Sequence, residues 1–349
     1  MDIHDLFELV ASEKASDLII SAGAPPILRI NGQLYRSRTD PLTGEQTQKL
    51  IYDFLNEEQV AEFETKKELD ISLAVGRKHR FRVNVYRQKE AVTAALRPIP
   101  ERIPDMTELG LPDSVRELAH ARQGLVLVTG PTGHGKTTSQ AAIVDLINKE
   151  RACHIITVED PIEYVHAHKR SIVDQREVGT DTEDFSVALK YVLRQDPDVI
   201  LIGEMRDLPT IKAALTAAET GHLVFATLHT NDAIQTVDRI IDVFPGGEQQ
   251  QIRFQLSMVL LAILSQRLLP RADQTGRVLA CEILRNNTAI ANLIREKKTH
   301  QIYSVVETSR KEGMVTLDSH IKHLYKSGLI SHDDAMVNMR SPKELDSVE

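Results

Sequence analysis

Apolar positions along the chain fall into two regimes. Up to about residue 97 they recur at helical spacing or alternate with polar residues, and from about 114 they gather into short continuous runs separated by helical segments. Residues 2–14 place Ile3, Leu6, Phe7, Leu9 and Val10 on one side of an amphipathic helix. DLIIS and PILRI follow as short strands, the second ending at Asn31-Gly32, a dipeptide suited to a tight hairpin because both positions tolerate positive φ. Helical patterns fill roughly 43–65. Three strand-like runs then come in quick succession: LDISLAV, HRFRVNVYR and AVTAALRPI. Alternation in the second puts Arg80, Arg82 and Asn84 on one face and Phe81, Val83 and Val85 on the other. Residues 1–97 therefore read as an α+β domain with an antiparallel sheet.

Pro98, Pro100, Pro104 and Pro112 crowd the next stretch, where neither helix nor strand runs freely, so residues 98–113 are assigned as a linker. Residues 114–349 form the second domain. Its strand candidates are LVLVT (125–129), HIITV (154–158), DVILIG (198–203) and LVFATL (223–228), apolar throughout as parallel strands buried on both faces are. A short helix is predicted at about 208–218, from Pro209 to Thr220-Gly221. After Phe244 the pattern is mostly helical apart from RVLACEIL, and LSMVLLAIL at 256–264 reads as a buried helix, far short of a membrane span.

Composition narrows the function classes. The 349 residues carry a formal net charge of -8, which argues against a protein that coats nucleic acid. Cys153 and Cys281 stand far apart without metal-ligand spacing, as small core residues of a reducing cytosol do. The first 17 residues are amphipathic and acidic, with no basic n-region or cleavage site. No export signal is expected, and any membrane work would pass through a partner.

The sharpest local signal is GPTGHGKT at 130–137. It fits the phosphate-loop pattern G-x-x-x-x-G-K-[ST] in full and lies between a strand and a helix. The candidate nucleotide-binding residues are Gly130, Pro131, Thr132, Gly133, His134, Gly135, Lys136, Thr137 and Thr138. Gly133 and Gly135 let backbone N–H groups close around phosphates, Lys136 reaches the outer two, and Thr137 offers a hydroxyl to Mg2+. His134 stands where a small serine is common; it points outward, contacts a phosphate or alters nucleotide access. ITVEDPIEY places Glu159, Asp160 and Glu163 just past a buried strand, where open α/β sheets carry ligand chemistry. These acids would hold the magnesium and its waters or polarise an attacking water, the alternative being helix capping or surface charge. Glu163 is the preferred member. In DVILIGEMRD, Glu204 follows a buried strand directly and is assigned to orient the hydrolytic water. TGHLVFATLHT brackets a strand with His222, left open between packing and chemistry, and His229, whose place at the strand tip suits sensing the γ-phosphate.

The blocks GPTGHGKTT, ITVEDPIEY, ILIGEMRD and TGHLVFATLHT, in this order and spacing, resemble the Walker A, Asp, Walker B and His boxes of the secretion-ATPase superfamily. Within it, REVGTDTEDFSVALKYVLRQDPDVILIGEMRD, SAGAPPILRINGQL, RFRVNVYRQ and AIANLIRE resemble the type IV pilus retraction ATPases, the PilT-like branch. The resemblance covers nearly the whole chain. It implies a PAS-like N-terminal domain followed by a RecA-like P-loop ATPase domain, assembled as a homo-hexamer, with nucleotide between the two domains. It further implies that arginines of the N-terminal domain complete the site, and Arg82 and Arg97 match those positions, with Arg80 beside them. The family's SDLHL and AIRNLIRE are here SDLII, with Ile19, and AIANLIRE, with Ala291. The four-cysteine zinc module of the extension and type II secretion ATPases is missing from the sequence.

The site residues point to a Mg2+-dependent ATPase, and the resemblance implies that it drives pilus retraction and twitching motility. It is expected to be cytoplasmic, at the inner-membrane face, acting on the pilus machinery through a PilC-like platform protein and not on nucleic acid. A PilT-like accessory or regulatory paralogue with slow or partner-dependent turnover is the alternative, pointed to by Ala291 and Ile19.

Overall fold

The computed structural model describes residues 2–30, 32–76, 79–100 and 102–346, and the chain divides into two compact units. The first comprises Met1–Arg102 with Pro161–Tyr164, and the second Ile103–Asp160 with Val165–Glu349.

The first unit holds six strands: β1 (Asp17–Ile20), β2 (Ile27–Ile30), β3 (Gln33–Arg36), β4 (Glu68–Val75), β5 (His79–Gln88) and β6 (Ala91–Ile99). They form one antiparallel sheet in the order β3-β2-β1-β6-β5-β4. Helix α1 (Ile3–Ser12) starts at a reciprocal cap, in which Asp2 and Asp5 each accept the other's backbone N–H. It buries Ile3, Leu6, Phe7 and Val10 against the sheet, with Phe7 stacked on Phe81 at 4.7 Å between ring centroids. Leu9, at the margin of that stripe, is only half-buried. Helices α2 (Gly44–Tyr52) and α3 (Glu57–Lys66) occupy the predicted helical stretch, each with a capping box. Phe81, Val83 and Val85 are buried while Arg82 and Asn84 are exposed, as the alternation requires. At the expected hairpin turn Gly32 has φ of 81°, whereas Asn31 lies outside the described residues.

The second unit is built on β7 (Gly124–Thr129), β8 (His154–Glu159), β9 (Ile172–Glu177), β10 (Val199–Ile202), β11 (Leu223–Leu228), β12 (Leu260–Pro270) and β13 (Arg277–Arg285). Their order is β13-β12-β7-β11-β10-β8-β9, parallel except for β13. Alternate residues of each central strand feed opposite cores. Leu125, Leu127, Ile200 and Val224 join one face, against α6 (Phe185–Val192), α7 (Leu208–Glu219), α8 (Ala233–Asp242), α9 (Gln249–Val259) and α10 (Thr288–Arg295). Val126, Val128, Leu201 and Phe225 join the other, against α4 (Asp113–Leu118) and α5 (Lys136–Glu150). Short helices follow over residues 302–346.

The predicted buried helix at 256–264 is corrected: α9 ends at Val259, the backbone turns extended at Leu260, and Leu260–Ser265 pairs in parallel with β7. A run that is apolar all round suits a buried helix or a buried strand equally, and the open side of β7 decides it. Strands β3 and β9 had no apolar signature. QLYR is exposed at all four positions, and IVDQRE lies at the sheet edge with polar side chains.

Candidate active site

Because β7, β8, β10 and β11 run parallel, their carboxyl ends share one edge of the sheet, and the phosphate loop, Glu159, Glu204 and His229 stand at or just past those ends. This is the edge where doubly wound sheets bind ligands. His222, at the amino end of β11, lies at the opposite edge. Its ring contacts the Ala217 carbonyl and the Thr220 hydroxyl at the end of α7, which is a packing role.

The phosphate loop leaves β7 at Gly130 and enters α5 at Lys136. Gly130 has φ of 140°, and a Cβ there would stand 2.3 Å from the Gln266 carbonyl oxygen of β12, so only glycine fits. Gly135 caps α5 in the left-handed conformation, presenting the amino end of a 15-residue helix to the loop. Lys136 is buried and donates to the carbonyls of Gly130 (2.8 Å) and Pro131 (3.1 Å), which bends its ammonium back over the loop's concave side. Gly133, Thr132 and their neighbours form the exposed rim, and the hydroxyl of Thr137 in the first turn of α5 has no hydrogen-bond partner among the described residues. Thr138, one position on, is half-buried.

His134 does not point outward. Its Nδ1 accepts the Leu268 backbone N–H at 2.9 Å, its carbonyl accepts the Gln266 amide at 2.8 Å, and Arg277 donates to the neighbouring Gly133 carbonyl at 3.0 Å. The loop is thereby tied to β12 and β13. Burial, followed by the positive charges of Arg277, Lys136 and Arg267, holds the imidazole below its ordinary range.

Glu204 projects from the turn after β10. That turn is fixed by Gly203 N–H to the Val158 carbonyl (2.8 Å), Met205 N–H to the Thr227 carbonyl (3.0 Å) and the Thr227 hydroxyl to the Gly203 carbonyl. Gly203 explains why the motif here lacks the Asp-Glu pair of many phosphate-loop enzymes. A Cβ at 203 would press on Glu159 Cα and the Val158 carbonyl oxygen, both at 3.3 Å. The mostly buried Glu204 carboxylate is 2.6 Å from the exposed Arg206 guanidinium and 3.4 Å from His229 Nε2. His229 Nδ1 lies 3.5 Å from Lys136 Nζ and 3.4 Å from the Thr132 hydroxyl. An ammonium only donates, so the tautomer that satisfies both neighbours carries its proton on Nε2, facing Glu204. His229 thus bridges the loop lysine and the strand-tip carboxylate.

Glu159 ends β8 buried, accepting from the Thr157 hydroxyl (2.6 Å) and the Gln175 amide (3.1 Å). Glu163 is half-buried in Pro161–Tyr164, the segment that groups with the first unit, while Asp160 is exposed. In the first unit Arg82 and Arg97 stand directly opposite each other on β5 and β6, so both project from one face. Asp70 offsets Arg82 at 2.8 Å between two exposed side chains, the mostly buried Asp17 offsets the exposed Arg97 at 2.8 Å, and Arg80 donates to the Ser72 hydroxyl. An exposed pair such as Arg82–Asp70 contributes about 0–1 kcal/mol, so the Arg82 guanidinium is readily re-partnered.

Sequence reasoning missed four residues that shape the site. Arg206 engages Glu204, Gln266 and Arg277 hold the loop, and buried Glu282 of β13 accepts the Ala233 N–H at 2.8 Å to anchor the start of α8, just past His229. Arg206, inside the DVILIGEMRD stretch, was within reach of sequence alone. The others become neighbours only because β12 pairs with β7 and β13 pairs with β12.

The family described as Type II/IV secretion system protein matches residues 2–336. The chain is 48% identical to the type IV pilus retraction ATPase PilT of Pseudomonas aeruginosa over 98% of its own length and 99% of that relative. It is 41% identical to the type IV pilus ATPase PilU of the same organism, over 99% of this chain and 90% of the relative. A crystal structure of the pilus retraction motor PilT with bound ADP superposes with a TM-score of 0.94 at 50% identity, covering both chains completely. With its strand-tip motifs in place along a nearly full-length match, the chain belongs to the type II/IV secretion system protein family.

Proposed function

We propose that this chain is a Mg2+-dependent ATPase, the ring motor that couples hydrolysis to type IV pilus retraction and twitching motility. The observation that carries the reading is the Lys136–His229–Glu204 chain at the carboxyl edge of the sheet, in a protein similar over its whole length to PilT. The loop amides and Lys136 hold the phosphates, Glu204 orients the attacking water, and His229 links the two so that γ-phosphate occupancy is felt at the carboxylate. Mg2+ takes oxygen donors, and Thr137 offers an uncommitted hydroxyl. Glu159 offers a carboxylate already fixed by two hydrogen bonds, with Glu163 as a further acid. When bound, the ion supplies neutralisation of charge on the phosphate oxygens. Arg82 and Arg97 are assigned to the transferring phosphoryl group, for which a planar, permanently charged guanidinium is suited. The assembly is assigned as a homo-hexamer on the similarity to PilT, with these arginines completing the site of a neighbouring protomer. Among the described residues no helix is long and apolar enough to cross a membrane. The proposed place of action is the cytoplasmic face of the inner membrane, with force passed to a PilC-like platform protein. Domain motion requires that ATP and ADP favour different arrangements.

Ala291 favours a second reading as an accessory paralogue, since it is buried on α10 where the retraction motif carries an arginine. Glu204→Gln tests the leading reading: ATP binding is retained while phosphate release falls at least a hundredfold, on the scale of losing a positioned catalytic group. Unchanged release removes Glu204 from the reaction. Expression in a retraction-deficient host separates motor from accessory, since only a motor restores twitching by itself.

A further inference from the structure

We infer that His134 is a positioning residue for nucleotide binding: its imidazole pins the phosphate loop to β12 through the Leu268 N–H, holding the loop in its anion-binding shape before nucleotide arrives. This rests on the phosphate-loop reading above. Three bonds tie the loop's outer turn to neighbouring strands, and they differ in kind. Gln266 and Arg277 are donors from β12 and β13 to loop carbonyls, and these survive whatever side chain stands at 134. The third runs the other way, from the Leu268 backbone to the His134 ring, and is the one contributed by a loop side chain. A serine at 134 ends one atom short of the imidazole Nδ1 along that direction and does not reach the Leu268 N–H. The histidine is therefore a stiffening device particular to this loop.

Acceptance at Nδ1 requires that nitrogen to be unprotonated, which places the ring's single proton on Nε2. Every charged group facing the ring is cationic: Lys136 from α5, Arg267 from β12 and Arg277 from β13. A second proton would set N–H against the Leu268 N–H and add charge to this cluster, so protonation releases the pin. The pin is present at neutral pH and is lost as pH falls through a range below that of an ordinary histidine. Preorganisation of this sort acts by lowering the ordering cost of binding.

The test is the Kd for mant-ADP with Mg2+, measured on the full-length protein between pH 5 and pH 8 for wild type, His134→Ala, His134→Asn and Lys136→Ala. Asparagine places an acceptor oxygen near the position of Nδ1 and does not titrate. Loss of one neutral hydrogen bond corresponds to about a fivefold rise in Kd, so His134→Ala binds about fivefold more weakly than wild type at pH 8. That ratio falls as pH drops below the range of an ordinary histidine, because wild type loses the pin and the variant has none to lose. His134→Asn recovers at least half of the loss in log Kd, with no pH-dependent change relative to His134→Ala. Equal affinity of wild type and His134→Ala at pH 8, a ratio that grows as pH falls, or an asparagine variant no tighter than alanine each overturns the inference. The nucleotide reading fails separately: wild type then binds no mant-ADP, or binds it no better than Lys136→Ala, and the inference falls with it.

Discussion

Glu282 makes the stability of the second unit depend on pH in a calculable way. It stands on β13 with its carboxyl buried, where Oε1 accepts the Ala233 N–H at the start of α8. Burial pushes its pKa from the ordinary 4.5 up to about 7, Asp232 and Asp318 add to the rise, and the Ala233 N–H and Arg340 oppose it. Below pH 4.5 the folded and unfolded chains both carry the proton and the group costs nothing. As pH rises the unfolded chain ionises first, so stability drains away until the folded carboxyl titrates near 7, above which the full cost is in force. At 1.36 kcal/mol per pH unit that cost is about 3 kcal/mol. Glu282→Gln keeps an acceptor for Ala233 and cannot ionise. Against wild type, the variant's melting temperature should therefore rise by about 6–12 °C between pH 4.5 and pH 8, at about 2–4 °C per kcal/mol for a unit of this size. Thermal unfolding followed by circular dichroism at a series of pH values reads this directly. A difference between the two proteins that stays constant across the series, or grows toward low pH, refutes the argument.

Other outcomes follow from the same geometry. Gly130→Ala should destabilise the second unit by about 2–5 kcal/mol and abolish nucleotide binding, because the new Cβ meets the Gln266 carbonyl at 2.3 Å in a backbone conformation side chains avoid; a folded variant with normal binding would show that β12 yields easily. Arg82→Ala breaks an exposed pair with Asp70, so melting should move by no more than the equivalent of about 1 kcal/mol while turnover drops at least tenfold. An unaffected rate undoes the assignment of Arg82 to phosphoryl transfer. Arg206→Ala should alter kcat by threefold or more without altering melting, since its partner is the Glu204 carboxylate and its own side chain is largely in solvent; an unchanged kcat would mean that the pair opens freely before chemistry.

The central strands of the second unit were legible in the sequence to within a residue because burial on both faces makes them apolar end to end, as in LVLVT and LVFATL. The first unit was legible through alternation, with Phe81, Val83 and Val85 inward and Arg82 outward. What escaped lacked a local signature. Strand β9 is polar because it is an edge, β12 is hidden in a run that continues the apolar stripe of α9, and the partners of His134 lie more than 130 residues away on strands whose neighbours only the sheet order fixes. Chemistry followed the same divide. The loop and Glu204 are contiguous motifs, while the bridging position of His229 depends on which strand tips adjoin.

The central claim is that hydrolysis needs a ring, with one protomer's arginines completing another's site. The specific rate of phosphate release by the purified protein, with saturating Mg2+-ATP across a protein dilution series, addresses it most directly. Specific activity should fall as the protein is diluted and the ring comes apart, and equimolar mixing of Glu204→Gln with Arg82→Ala should restore part of the activity each lacks alone. Activity per chain that is constant down to concentrations where the protein is monomeric would contradict the account.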